Sequence, residues 1–320
     1  MIHSPTTTDE LLAVDQLAAD DVVVRAGGTD LQERLRSHNA SPTLVDLGGI
    51  GQLRLIDQAD SGWIIGAGAT IATVARETAD AYPALAITAG GLATPQIRAH
   101  GTIGGNLTQR TRCWYYRHPQ LSCFKSGGDS CPARDGEHLY GVVFDRSDCV
   151  HPHPSSIGMA LLTYDAAVTF ADGATMTVSD LLGDGTDATR DHQLPDGAVI
   201  ASIDLPAPWT DERAAYFRSI SRFEAEWPLV ECVVRARFDG DRVAKCCIGL
   251  GGVATVPLRM TAAEDILTGA SLTDDVIAQV ASACTEGASP LPQTGYKVDL
   301  IEATVQETLE RLRSSADATN

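Results

Sequence analysis

Two short glycine-rich stretches hold the first residues whose types and spacing suggest chemistry. Val23-Val24-Arg25-Ala26-Gly27-Gly28-Thr29-Asp30-Leu31 runs from apolar residues through a glycine pair to polar residues that suit a helix start. Paired glycines let the backbone approach an anion, and the N–H groups of the turn and helix start then donate to phosphate oxygens. Thr29 adds a hydroxyl. Gly101-Thr102-Ile103-Gly104-Gly105-Asn106 repeats the same composition. One such loop is equally an ordinary strand-to-helix turn. Two in one domain point to a ligand carrying a diphosphate. A third stretch, Gly66-Ala67-Gly68-Ala69-Thr70, lacks the last glycine of a dinucleotide fingerprint because Ile71 stands there. It is read as a strand turning into a helix and not as a nicotinamide site.

Four of the eight cysteines form a second candidate site. Cys113, Cys123, Cys131 and Cys149 follow the spacing C-x9-C-x7-C-x17-C, without the close pairs of common zinc and ferredoxin sites. Composition says more than spacing. Residues 110–153 combine these cysteines with His118, His138, His151 and His153 and show almost no apolar period. So long an irregular stretch inside a compact domain is either functional or disordered. A metal centre would order it, because ligand binding supplies folding free energy. From the residues alone three readings stay open: an iron–sulfur cluster on four thiolates, a zinc site in which a histidine replaces a thiol, and four unrelated free thiols. Cys232, Cys246 and Cys247 lie in apolar strand-like runs and read as small core residues.

The elements that must position these sites follow from periodicity. A capped amphipathic helix is expected over residues 8–18, a strand over 22–25 and a helix from Thr29 or Asp30 through Leu35. Strands are expected over 43–47 and 63–65, and a helix capped by Thr70 over 70–79. Residues 90–106 show little periodicity. After the cysteine segment come a helix over 155–164 and a hairpin around Asp172-Gly173. Pro206 and Pro208 mark a boundary, giving domains over 1–208 and 209–320, the first with a Cys-rich insertion over about 107–153. Beyond it lie strands over 216–220, 230–238 and 243–250, then helices near 262–267, 274–284 and 298–313. The class is α+β.

In order along the chain, these residues resemble the FAD-binding medium subunit of the xanthine dehydrogenase and carbon monoxide dehydrogenase family. The resemblance rests on Arg25 to Leu31, Ile65 to Thr70, Gln96-Ile97-Arg98 with Gly101 to Asn106, and Gly249-Leu250-Gly251-Gly252-Val253-Ala254 followed by Val256-Pro257-Leu258-Arg259. The segment from Asn106 to Cys113, with Ser122 to Lys125, Cys131-Pro132-Ala133 and Cys149, is similar to the insertion of a subgroup. That subgroup includes the periplasmic aldehyde oxidoreductase FAD subunit and the 4-hydroxybenzoyl-CoA reductase beta subunit. The resemblance implies a two-part FAD-binding domain of the vanillyl-alcohol-oxidase type and a smaller α+β C-terminal domain. It implies FAD contacts from Val23 to Leu31 and from Thr102 to Asn106, and a [4Fe-4S] cluster on the four cysteines. It further implies a large partner subunit with a molybdenum cofactor, where substrate is oxidised, and a small partner with [2Fe-2S] clusters. Electrons would pass through this chain to an external acceptor, or inward if the complex works reductively. Ser156 stands where many relatives have Asp, and Ser219 where a basic residue is common.

Bulk properties narrow the rest. A net charge of -18 argues against a nucleic-acid partner, whose phosphates call for Lys and Arg, and disfavours anionic membranes. No apolar run approaches the ~20 residues of a membrane span. Residues 1–15 show no secretion signal, which favours the cytoplasm, although co-export with a signal-bearing partner would place the chain in the periplasm. No nucleophile elbow or carboxylate pair suggests substrate chemistry on this chain. The rival expectations are a stand-alone flavin oxidase and a zinc-stabilised interaction subunit.

Overall fold

The structure, a computed structural model, describes residues 1–14, 17–37, 40–222 and 226–317. Three sheets organise it. β1 (Ile2–His3), β2 (Val22–Arg25) and β3 (Thr43–Asp46) form a parallel sheet in the order β1-β3-β2. β4 (Ile56–Ala59), β5 (Gly62–Gly66), β6 (Ala167–Phe170), β7 (Thr175–Thr177) and β8 (Ile200–Pro206) form an antiparallel sheet in the order β4-β5-β8-β6-β7. β9 (Arg213–Ser219), β10 (Val230–Asp239), β11 (Arg242–Gly251) and β12 (Leu258–Arg259) form the third, in the order β12-β11-β10-β9. The β10–β11 turn falls on Asp239-Gly240-Asp241, where Gly240 takes φ 61°, a conformation glycine adopts without cost.

Each of the two larger sheets carries its own core. The first gathers Ile65, Ile103, Leu107, Ile157 and Ile203. The second gathers Val234, Ile248, Ile277 and Leu309, with the long helix Tyr296–Asp317 packed on β9 and β10. Cys232, Cys246 and Cys284 are buried in that second core, as small apolar residues are. A smaller cluster around Leu11, Val45, Ile50 and Val199 includes the sheet that carries the first glycine loop. Ile203 is fully buried on β8, the central strand of its sheet. Ile203→Ala is expected to cost about 3 kcal/mol through lost burial and a residual cavity, seen as a lower denaturant midpoint with unchanged slope.

Three expectations need revision. Residues 90–106 are helical over much of their length, in Pro83–Gly91, Pro95–His100 and Ile103–Leu107. The outward face of Pro83–Gly91 carries Pro83, Ile87, Gly90 and Gly91 and no charged residue, so it shows no amphipathic contrast, and the other two are too short to show a period. They are set instead by Pro83 and Pro95 in first turns and by the hydroxyls of Thr94 and Thr102, which accept from Ile97 N and Gly105 N. β8 has no counterpart in the sequence reading. The expected helix over 8–18 is a five-residue piece, Thr8–Leu12, capped by Thr7, and its residues 15 and 16 lie outside the described residues. The cysteine segment is irregular as expected, with single turns at Trp114–Arg117, Phe124–Ser126 and Pro132–Asp135.

Candidate functional site

A cleft of about 480 Å³ opens where the parallel sheet ends. Val24 to Leu31 line it continuously, joined by Thr102, Gly105, Asn106, Thr94, Ile97, Ser156, Arg218 and Trp227. Val23 is on β2 outside the lining. Among the described residues, the backbone N–H groups of Gly27, Gly28, Thr29 and Asp30 donate to no protein acceptor. Successive amides left free in a loop that lines a cleft can all donate to one anionic ligand.

The second glycine stretch is built differently. Ile103 N donates to Ala69 O and Gly104 N to Ala67 O, both at 2.9 Å. Gly105 N reaches Thr102 Oγ1 at 3.1 Å and Asn106 N reaches Thr102 O at 2.9 Å. The amides from Ile103 to Asn106 are therefore taken up inside the fold, and that of Thr102 is left facing no protein acceptor. Ile103 is fully buried in the core, and Gly104 packs so closely on the Gly66 to Thr70 turn that a Cβ would stand 2.8 Å from Ala67 Cβ. Neither lines the cleft; Thr102, Gly105 and Asn106 do. Similar composition had suggested equal roles, but the first loop offers a run of donors and the second mainly shape, with Thr102 N as its one free amide among the described residues. The Gly66 to Thr70 turn behaves as expected, since Thr70 Oγ1 accepts from Thr73 N at 3.1 Å and starts the helix Ile71–Glu77.

Asp30 joins the cleft to the cysteine segment. Its carboxylate accepts from Arg112 at 2.5 Å, Arg117 at 2.7 Å and Arg110 N at 3.1 Å, with Arg34 at 3.7 Å. Burial alone would raise this carboxyl, but Arg112 and Arg117 outweigh it and hold it below the ordinary carboxylate range. A second tie lies farther along, where buried Asp191 pairs Lys125 at 3.0 Å and Arg110 at 2.8 Å. These arginines and Lys125 were absent from the site expected on sequence. The available signal was charge: an acidic residue ends the glycine loop, and Arg110, Arg112 and Arg117 surround the first cysteine.

Cys113, Cys123, Cys131 and Cys149 all line one small cavity of about 20 Å³, together with Lys125 and His151. Burial raises the Cys113 thiol and pushes Cys149 up to about 11, with Lys125 opposing in the latter case. Thiols in such a setting become thiolates when a metal takes the place of the proton. Among the described residues, no three of His, Cys, Asp or Glu stand close enough to hold a single metal ion. Tetrahedral zinc would draw four sulfurs to about 3.8 Å from one another, given its ~2.3 Å bonds. A cluster spreads its thiolates wider, because each binds a different iron. The four thiols share one cavity, but among the described residues they form no ready-made metal site. Of the four histidines, only His151 lines this cavity; His118 stands apart on an exposed turn, and His138 and His153 are buried elsewhere.

The two departures at the flavin side have local answers. Ser156 Oγ donates to buried Glu231 at 3.0 Å, and Tyr216 OH reaches the other oxygen of that carboxyl at 2.7 Å. Ser219 pairs with Thr304, and the neighbouring Arg218 lines the cleft instead.

Fold and cleft together define a carrier of a nucleotide-type cofactor. The family described as the FAD binding domain in molybdopterin dehydrogenase matches residues 1–208, and the CO dehydrogenase flavoprotein C-terminal domain matches residues 215–312. The aldehyde oxidoreductase FAD-binding subunit PaoB of Escherichia coli is 31% identical over 306 residues, covering 91% of each chain. The carbon monoxide dehydrogenase medium chain of Hydrogenophaga pseudoflava is 25% identical, covering 98% of this chain and 96% of that one. The solved Cu,Mo-CO dehydrogenase shares the fold, with a TM-score of 0.75 at 20% identity over 98% of this chain and 97% of that one. Quinoline 2-oxidoreductase from Pseudomonas putida gives the same TM-score, identity and coverage. The chain belongs to the FAD-binding subunits of the xanthine dehydrogenase and carbon monoxide dehydrogenase family, the flavoprotein oxidoreductase subunits of molybdenum hydroxylases. No described helix is long and apolar enough to cross a membrane.

Proposed function

We propose that this subunit holds FAD in the cleft at the first glycine loop and a [4Fe-4S] cluster on Cys113, Cys123, Cys131 and Cys149, and serves as the electron exit of an aldehyde-oxidising complex. The observation that carries the reading is the run of unpartnered amides from Gly27 to Asp30, tied through Asp30 to the segment that bears the cysteines. The segment from Val23 to Leu31 would hold the diphosphate, and Thr102 to Asn106 would shape the cleft around it. FAD, when bound, exchanges electrons singly or in pairs. The chain's own residues supply position: amide donors for the anion, Ser156 and Arg218 along the cleft wall, and Lys125 beside the thiols. Substrate would be oxidised on a large molybdenum-cofactor partner, with a small [2Fe-2S] partner between. The division into domains near residue 208 is part of the same proposal. Aldehyde is favoured as substrate class by the similarity to PaoB.

Anaerobic absorption with flavin, iron and zinc analysis tests this. Flavin bands with a broad shoulder that bleaches on reduction are expected, along with iron. A colourless protein containing zinc overturns the reading. Cys131→Ser is expected to lose iron while keeping FAD; retention of iron removes Cys131 from the ligand set.

A further inference from the structure

Glu231 is a buried acid that the fold gives no countercharge. It lies on β10, is 2% exposed and, among the described residues, forms no ion pair. Two hydroxyls serve its oxygens instead, Ser156 Oγ at 3.0 Å and Tyr216 OH at 2.7 Å. Glycines on two other elements keep room for the group. A Cβ on Gly251 of β11 would stand 2.5 Å from Glu231 Oε1, and one on Gly91 would stand 2.8 Å from Cε1 of the Tyr216 ring. Burying a carboxyl without a cation is costly, and an apolar residue of similar volume would serve the core better.

Its position gives the cost a purpose. Ser156 lines the cleft at the first glycine loop, and Glu231 lines a second cleft of about 490 Å³ beside it. Neither residue lines both, so their hydrogen bond runs from one cleft to the other through the interior. The groups around Glu231 are few. β9 brings Tyr216 and Arg218, and the helix Ser156–Thr163 brings Ser156. β11 brings Gly251, which is uncharged. Lys297, Glu226, His151 and His153 line the second cleft with it. Burial is the largest influence and lifts the Glu231 carboxyl above its ordinary range, against Tyr216, Ser156 and Arg218.

A hydroxyl donates and accepts at once, so Ser156 can give a proton on one side while taking one on the other. A carboxyl can hold that proton in between, and the 3.0 Å contact serves with either group donating. We propose that Glu231 and Ser156 carry protons between water in the second cleft and the cofactor in the first. Flavin reduction consumes protons along with electrons, which the proposed iron–sulfur partner supplies. As electrons arrive, the Ser156 proton moves into the first cleft, the Glu231 proton moves to Ser156 Oγ, and water in the second cleft restores the carboxyl. One proton leaves solvent, one reaches the cofactor, and both side chains end as they began. Oxidation reverses each transfer. The inference rests on the proposed function for the identity of the cofactor.

The test follows flavin reduction by dithionite in stopped flow, on the full chain with the partners that co-purify, across pH and in heavy water. In the parent the rate per bound flavin is expected to fall as pH rises through the folded Glu231 value, and to slow in heavy water. Glu231→Gln keeps size and hydrogen bonding but cannot take or release a proton. It is expected to slow reduction at least about tenfold, the low end of what a positioned proton donor contributes, and to abolish the pH break. Ser156→Ala should do the same with Glu231 in place, which keeps the test valid if Glu231→Gln fails to fold. Rates and pH profiles like the parent's in these variants overturn the relay. So does loss of FAD from both, which makes the cluster part of the flavin seat alone. A parent protein without FAD overturns the proposed function, and this inference with it.

Discussion

Asp30→Ala is expected to cost the protein both its flavin and the order of its cysteine segment. The carboxylate is the single acceptor on which Arg112, Arg117 and the Arg110 amide converge. Its side chain is 15% exposed, and those of Arg112 and Arg117 are 18% and 11% exposed, so solvent screens them weakly. Removing one partner of such a group leaves clustered positive charge, with Glu33 the remaining nearby carboxylate. Breaking a buried pair in this way costs about 3 kcal/mol or more. The loop whose amides face the cleft would lose its anchor at the same time. Retained FAD should fall at least about tenfold, and limited proteolysis should cut within residues 110–153. Asp30→Asn keeps a hydrogen-bond acceptor but not the charge, and should fall between. If Asp30→Ala keeps flavin and resists proteolysis like the parent, the two sites are not coupled through this residue.

The same carboxylate sets a pH dependence. Its folded value is depressed, so its contribution is fully present above its unfolded value and lost as pH falls through the folded one. Stability from this group should therefore be constant near neutrality and decline only below pH ~4. A variant lacking Asp30 should show a flatter acid limb.

Gly27→Ala should be the second severe change. A Cβ there would stand 1.9 Å from the His100 carbonyl oxygen and 2.8 Å from its carbon, with Gly101 Cα at 3.3 Å. These are backbone atoms and cannot swing aside. The two glycine stretches therefore meet backbone to backbone at this point, and a methyl group must push the first out of place. Flavin binding should drop about a hundredfold or more, measured by titrating FAD into the apoprotein. Gly28→Ala is the comparison. Gly28 takes φ +71°, yet only the Arg25 side chain approaches, at 3.8 Å. Its cost is the left-handed backbone penalty, about 1–2 kcal/mol. If the order were reversed, conformational freedom and not close approach would be the reason for the pair.

Much of the fold was legible because local chemistry fixed it. β2, the Thr70 cap, the Asp172-Gly173 hairpin, the β10–β11 pair and the three C-terminal helices follow from period, caps and turn residues. β8 shows only a short alternation, buried Ile203 and Leu205 against Ser202 and Asp204, and its central place comes from pairing with β5 and β6, where Asp204 accepts from Thr169. The short helices over 83–107 were hidden because the outward face of Pro83–Gly91 carries Ile87 and Gly90 in place of charged residues, and the other two are too short to show a period.

The site divides along the same line. By itself the sequence determined the first glycine loop, the presence of a second glycine stretch, and the grouping of four cysteines in one irregular segment, because residue type and spacing are local properties. Only the tertiary structure decided what each does. Neighbours distant in sequence take up the amides of Ile103 and Gly104, so those two donors are lost to the cleft. The joint between cleft and cysteines proved to be Asp30 of the first loop, although the second loop is nearer in sequence. Hydrogen bonds and ion pairs act through space, and the partners of Asp30 lie more than eighty residues along the chain except for the Arg110 amide, at eighty, and Arg34.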